Sequence, residues 1–263
     1  MIEIDPQQID LWLVFSGEIS DPVLLREYSA LLCEGERLQR SRFHFARDQH
    51  RYLVTRAVVR SVLSKYVAIA PAAWTFRPDA FGRPAIANEN VAARRLAFNV
   101  AHAGNLIVLG VARECALGVD TEDVCARDPP LEIAERYFAA DEAAALRALP
   151  REQQRQRFFE YWTLKESYIK AHGKGLSMPL DRFSFHFTAN AHLRLELAAG
   201  EPESTEHWRF WQLQPTPEYL ISVCAGRVGS PLSRLATRRI VPLHEEEAVD
   251  CPLLRTSAET RRN

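Results

Sequence analysis

Apolar positions along this chain fall into short runs and helical repeats, and their order sets out the elements. Ile9 to Phe15 (IDLWLVF) mixes β-branched, aromatic and aliphatic residues ahead of Ser-Gly and reads as a buried opening strand. Asp21-Pro22 has the form of an N-cap followed by proline at the first helical position. From Glu34 the chain turns basic, with Arg37, Arg40, Arg42, Arg47 and Arg51 leading into a helix expected over 50–67, where Leu53, Val54, Ala57, Val58 and Val62 recur at helical spacing. Phe76 to Ile86 carries Pro78, Gly82 and Pro84 and reads as a turn-rich loop ending in a short extended segment. Three strand-like runs then follow closely, 96–101, 106–112 and 115–122, and are expected to form a β-meander. Helices are expected over 128–138, 139–149 and 151–172, the last ending at Gly173-Lys174-Gly175. A second set of strands follows at 182–187, 193–197, 208–213 and 219–225.

Helices followed by a set of strands thus occur twice, which predicts an α+β chain of two similar lobes with a junction near 115–125. The expected division is an N-terminal lobe over 1–115, a C-terminal lobe over 116–225, and a weakly ordered tail over 226–263, where Pro231, Pro242, Pro252 and Glu245-Glu246-Glu247 stand.

Composition adds exclusions. With 47% hydrophobic and 25% charged residues, the 263-residue chain has the balance of a folded globular protein. Its 33 Lys+Arg and 34 Asp+Glu leave a formal charge of -1, so nothing global calls for nucleic acid or an anionic membrane, and any anion site must be local. The opening MIEIDPQQID lacks a basic n-region and an apolar h-region, and apolar runs such as 106–111 are far shorter than a membrane span. A soluble, cytoplasmic protein is expected. Five cysteines without CxxC spacing argue against structural zinc and a disulfide framework.

Candidate chemistry gathers at three places. Asp120-Thr121-Glu122 ends a strand, so both carboxylates project from one face, about 6 to 7 Å apart along the backbone. Such a pair repels unless a cation intervenes, and hard oxygen ligands suit Mg²⁺ or Mn²⁺; two acids at a solvated strand end is the plainer alternative. In Trp162-Thr163-Leu164-Lys165-Glu166-Ser167-Tyr168-Ile169-Lys170, Glu166 and Lys170 share a helical face. Phe158, Phe159 and Tyr161 one turn away imply a partly buried setting, where unpaired ions are costly, so a third carboxylate would complete a metal site and the lysines would meet phosphate oxygens. His102 closes Phe98-Asn99-Val100-Ala101-His102 at a strand end before a glycine turn. GxxxxGK[ST], GxSxG, HExxH and GxGxxG are all absent from the sequence.

Taken together, Phe81-Gly82-Arg83-Pro84, Phe98 to His102, Leu117-Gly118-Val119-Asp120-Thr121-Glu122 and Trp162 to Gly175 resemble, in order, the motifs of the Sfp-type 4'-phosphopantetheinyl transferases. The resemblance covers about residues 5 to 225 and implies a pseudo-twofold pair of lobes with coenzyme A in the cleft between them. It implies Asp120, Glu122 and Glu166 as Mg²⁺ ligands, and His102, Arg83 and Arg47 as contacts to the 3'-phosphate end of coenzyme A. Lys165 and Lys170 are implied as pyrophosphate contacts, while Gly82, Pro84 and Asn99 shape the nucleotide pocket; Arg51 is added from its place in the basic segment. The implied reaction transfers 4'-phosphopantetheine to a serine of an apo acyl or peptidyl carrier protein, with Glu166 as general base and Asp120 and Lys170 beside it. Two departures stand out: Ala101 replaces the family serine, which removes one hydroxyl able to bond a phosphate, and Arg83 replaces a lysine. Arg147, Arg151, Arg155 and Arg157 are the expected docking charges for an acidic carrier, and a monomer is expected because both halves of the site lie in one chain. Two other readings stay open: a non-catalytic coenzyme A- or carrier-binding module of the same fold, and a Mg²⁺-dependent hydrolase of nucleotide pyrophosphates.

Overall fold

The structure, a computed structural model, describes residues 1–79, 81–126, 128–188, 191–200, 204–229 and 232–257. The opening apolar run becomes β1 (Gln8–Phe15). Asp21 accepts from the Val23 amide at 2.8 Å and caps α1 (Pro22–Leu31). After α2 (Glu34–Ser41), α3 (Ala46–Tyr66) begins four residues before the expected start, which places Arg47 and Arg51 in its first two turns. A hairpin of β2 (Phe76–Pro78) and β3 (Pro84–Ile86) and the short α4 (Val91–Arg94) lead to β4 (Leu96–Ala103), β5 (Leu106–Arg113) and β6 (Ala116–Asp123). Then come α5 (Leu131–Tyr137), α6 (Ala140–Ala148) and α7 (Arg151–His172). The remaining strands are β7 (Phe183–Phe187), β8 (Leu193–Leu197), β9 (Trp208–Thr216), β10 (Tyr219–Gly226), β11 (Arg234–Val241), β12 (Glu245–Ala248) and β13 (Leu253–Thr256).

These elements stack as four layers, α3 on a first sheet, the first sheet on a second, and the second on α7. The first sheet runs β12-β11-β1-β5-β4 and the second β13-β9-β10-β6. Strand alternation builds the layers. In β1, Trp12 and Val14 face α3, whereas Ile9, Leu11 and Leu13 face the second sheet; in β10, Leu220 and Cys224 face α7, whereas Ile221, Val223 and Ala225 face the first sheet. The central strands β1, β5 and β10 are therefore apolar on two faces, which is why they read as nearly continuous hydrophobic runs. Among the described residues no helix is long and apolar enough to cross a membrane.

Two expectations are corrected. Much of the segment 226–263 is strand: β11 pairs in parallel with β1, β12 with β11, and β13 with β9, while 258–263 lie outside the described residues. Parallel pairing needs a long crossover, and most of the chain serves as the connection between β1 and β11. Ile240 is buried against the α3 layer, and the Arg238 guanidinium lies 5.5 Å from the Trp12 ring centroid, so this segment closes the first sheet. The meander is also divided, because β4 and β5 pair with each other while β6 pairs antiparallel with β10 in the second sheet. β4 and β6 still run side by side, joined by side chains instead of a ladder: the Asn99 amide oxygen accepts from the Val119 backbone N–H at 2.8 Å.

The alternation in β6 positions the site. Leu117 and Val119 face the first sheet, so Gly118, Asp120 and Glu122 face α7. A Cβ at Gly118 would sit 1.9 Å from the Ser167 carbonyl oxygen and 2.5 Å from the Ala171 amide nitrogen. Only a glycine lets α7 lie this close to the strand, since the clashing atoms are helix backbone and cannot rotate away. We expect Gly118→Ala to lower the thermal midpoint by the equivalent of at least about 3 kcal/mol, beyond the usual range of core overpacking. Wild-type melting behaviour in that variant would contradict the contact.

Candidate active site

Along α7, residues 163, 166, 167 and 170 lie on the side turned to the second sheet, and the row Gly118, Asp120, Glu122 runs beneath them. Asp120 is 7% exposed, and its Oδ1 accepts from Lys170 Nζ at 2.7 Å. The same ammonium donates to the Val119 carbonyl at 3.1 Å. Two carboxylate oxygens here, Asp120 Oδ2 and Glu166 Oε1, are buried without a hydrogen-bond partner. Burial pushes the Asp120 carboxyl up against the opposing pull of Lys170. Glu166 is pushed up to about 7, first by burial, then by the charge of Asp120, with Glu122 adding to it and Lys170 opposing. Its folded value lies above the ordinary carboxylate value, so neutral Glu166 stabilises the fold fully below about 4.5 and loses that contribution as pH rises through about 7.

The expected ligand set Asp120, Glu122 and Glu166 is therefore brought to one side of α7, but among the described residues no three His, Cys, Asp or Glu side chains close into a ligand cluster. The cation bonded to Asp120 is Lys170. The donor set nevertheless suits a hard cation. Two buried oxygens lacking donors are what a divalent ion would satisfy, and Mg²⁺ characteristically takes one or two carboxylates and leaves its other positions to water and phosphate.

Across the cleft, His102 is the penultimate residue of β4, and Phe98, Val100 and His102 share one strand face. Crowding by protein atoms lowers the His102 value first, then the Arg51 and Lys170 charges, while Asp48 opposes. Those influences place His102 among α3 and α7 residues although its side chain is open to solvent. Arg51 is held by Asp48 at 2.7 Å. Arg47 is exposed and, with Ser16, Asp48, Arg51 and Asn105, lines a groove of about 810 Å³. A smaller, mostly apolar pocket of about 200 Å³ is bounded by Phe81, Arg83, Pro84, Asn99, Lys170 and Gly173. Gly82 takes a left-handed φ of +84° in the turn that carries Arg83 and Pro84.

Three expectations change. Lys165 does not face the cleft: its ammonium is 0% exposed, pairs with Glu142 at 2.7 Å, and donates to the Leu180 and Phe183 carbonyls at 2.8 and 2.7 Å. At about 100° per residue, Lys165 and Lys170 lie roughly 140° apart around the helix, so one lysine serves the site and the other the packing of α6 and β7. Ala101 packs in the apolar layer between the sheets, on the strand face opposite His102, so a hydroxyl there would enter a core and not the cleft. Of the four docking arginines, Arg155 donates to the Val124 carbonyl and Arg157 is paired with Glu160 and stacked 4.7 Å from the Phe187 centroid, leaving Arg147 and Arg151 as the exposed pair.

Sequence reasoning missed Glu142 and a polar chain behind α7. Gln212 Nε2 donates to the Glu160 carbonyl and the Ser222 hydroxyl, the Ser222 and Thr163 hydroxyls are 2.8 Å apart, and Arg255 of β13 reaches Glu160 at 3.2 Å. A buried acid near a helix start and a Ser within an apolar strand were the available signals.

The profile of the 4'-phosphopantetheinyl transferase superfamily matches residues 116–224, and that of the 4'-phosphopantetheinyl transferase N-terminal region matches 24–114. A 4'-phosphopantetheinyl transferase of Bacillus subtilis is 33% identical over 70% of this chain and 78% of its own length. The 4'-phosphopantetheinyl transferase Sfp of Bacillus subtilis (strain 168) is 32% identical over 72% and 80%, and HetI of Nostoc sp. is 29% identical over 78% and 83%.

The Lys165 assignment has a direct test. Removing one partner of a buried ion pair costs about 3–5 kcal/mol, so Lys165→Met should melt well below wild type, and Lys165→Met with Glu142→Leu should recover much of the loss. Unchanged stability in Lys165→Met with a raised KM for coenzyme A would return Lys165 to the cleft. From two profiles that together span 24–114 and 116–224, and from relatives a third identical over most of its length, the chain belongs to the 4'-phosphopantetheinyl transferase family.

Proposed function

We propose that this protein moves the 4'-phosphopantetheine group from coenzyme A to a serine hydroxyl of an apo acyl or peptidyl carrier protein, releasing adenosine 3',5'-bisphosphate. The observation that carries the reading is the pair of buried, donor-less oxygens on Asp120 and Glu166 beside the Lys170 ammonium. Asp120 and Glu166 would hold Mg²⁺, or Mn²⁺ as the related hard cation, with Glu122 next to them on the strand face. Bound there, the ion supplies charge neutralisation to the pyrophosphate.

The chain's own residues supply the rest. Lys170 brings positive charge to the pyrophosphate, and His102, Arg47 and Arg51 line the side suited to the nucleotide phosphate. Glu166 accepts the serine proton as the serine oxygen attacks the pantetheine-side phosphorus and the bond to the nucleotide phosphate breaks. Positioning and neutralisation carry most of the catalysis, because phosphoryl transfer leaves little covalent work to the protein. The exposed Arg147 and Arg151 offer charge to an acidic carrier. Both halves of the cleft come from one chain, so the monomer suffices for the reaction, in the cytoplasm where coenzyme A and carriers meet.

Intact-mass analysis of an apo carrier with this protein, coenzyme A and Mg²⁺, beside an EDTA control, tests the proposal. A metal-dependent gain of about 340 Da is expected for pyrophosphate-side transfer. Glu166→Gln should lower kcat by about 10²–10⁴-fold, the range of a lost general base, while the protein stays folded. Coenzyme A binding without any gain on several carriers would favour a non-catalytic module, and release of the bisphosphate without a carrier would favour a hydrolase.

A further inference from the structure

Arg83 leaves the turn after β2, and its guanidinium reaches three separate elements. Nη1 donates to the Lys170 carbonyl at 2.9 Å, and Nη2 donates to the Phe98 carbonyl at 2.9 Å and the Leu117 carbonyl at 3.1 Å. These acceptors belong to α7, β4 and β6, the three elements that carry Lys170 and Glu166, His102, and Asp120. The turn is built to launch this side chain. Asp79 Oδ1 accepts from the Phe81 and Arg83 amides at 2.9 Å each, the Asp79 amide returns a bond to the Arg83 carbonyl at 2.8 Å, and Gly82 takes the left-handed φ between them.

The donor count decides what Arg83 can do. A guanidinium has five N–H groups, and each of its two bidentate edges includes one Nη2 hydrogen. Nη2 already donates to Phe98 and Leu117, so gripping a phosphate from either edge in the forked manner that makes arginine a phosphate ligand would compete with these bonds. The Lys170 carbonyl lies in the last turn of α7, where a cation is favoured by the dipole, and it accepts from Arg83 in addition to the Gly173 backbone N–H at 3.2 Å. Arg83 therefore caps the helix that carries the reactive groups and ties that cap to the seam between β4 and β6, where no backbone ladder joins the strands.

We propose that Arg83 is a positioning residue that locks α7 against the β4–β6 seam, and not a ligand of the coenzyme A 3'-phosphate. The inference rests on the transferase reading for its kinetic arm only. The experiment compares wild type with Arg83→Met, and with Arg83→Lys where the methionine variant does not fold. In Arg83→Met, kcat should fall about 10- to 100-fold at temperatures well below the melting point, the scale of a misplaced catalytic group. The ratio of Kd for coenzyme A to Kd for 3'-dephospho-coenzyme A should stay within about twofold of wild type. Amide exchange in the ligand-free variant should accelerate at residues 168–173 and along the seam.

A loss of binding confined to coenzyme A, with 3'-dephospho-coenzyme A unaffected, would make Arg83 a phosphate ligand and overturn the proposal. Unchanged exchange at the seam, or a lowered melting point with kcat per folded molecule intact, would overturn it equally. A wild-type protein that transfers nothing would defeat the transferase reading, while the exchange comparison would still decide the role of Arg83.

Discussion

The contact on which the site depends is backbone against backbone, where α7 lies on β6 at Gly118. With a Cβ placed only 1.9 Å from the Ser167 carbonyl, no other residue could occupy that position without moving the helix. Everything reactive is referenced to this contact. One step along the strand face, Asp120 meets Lys170; a further step brings Glu122 into the electrostatic reach of Glu166. Close approach also excludes water, so these charges interact in a medium where burial shifts both carboxyls upward.

Charge in this region is arranged as two separated pairs on one helix. Lys165 and Glu142 neutralise each other in the core beneath α6 and β7, with backbone carbonyls satisfying the remaining ammonium hydrogens. Lys170 and Asp120 form the second pair at the cleft, where donor-less carboxylate oxygens remain on Asp120 and Glu166. The first pair is closed and structural, and the second is open toward further positive charge. Behind both, the hydroxyl and amide chain through Thr163, Ser222 and Gln212 to Glu160 and Arg255 fixes the rotation of α7, so that neither lysine can exchange its role with the other.

Much of this was legible in the sequence because it depends on local periodicity. Asp120 and Glu122 share a face because strands repeat every two residues, and Glu166 and Lys170 do because helices place i and i+4 together. Asp120, Glu166 and Lys170 thus declared themselves without knowledge of the tertiary structure. Lys165 was misread because adjacency to Glu166 in sequence does not mean adjacency on the helix surface. The tie of Arg83 to three elements was not legible, because its acceptors stand 15, 34 and 87 residues away and no local pattern announces them. Ala101 was read as a missing hydroxyl in the cleft, yet strand alternation turns it away from the face of Phe98, Val100 and His102 and toward the layer between the sheets. The strands β11 to β13 escaped notice for a topological reason: β11 finds its partner in β1 at the opposite end of the chain, and prolines and acidic residues around it resemble a tail.

Burial and neighbouring carboxylates raise the Glu166 carboxyl to about 7 in the metal-free protein, and the chemistry of the site depends on this shift. A ¹³C NMR titration of the Glu166 carboxyl, assigned by comparison with Glu166→Gln, measures it directly. The account predicts a midpoint of about 7 without divalent metal, moving down when Mg²⁺ is added. A midpoint at the ordinary carboxylate value of about 4.5, unmoved by Mg²⁺, would mean that Glu166 is solvated and unpaired with a metal, and would contradict the account.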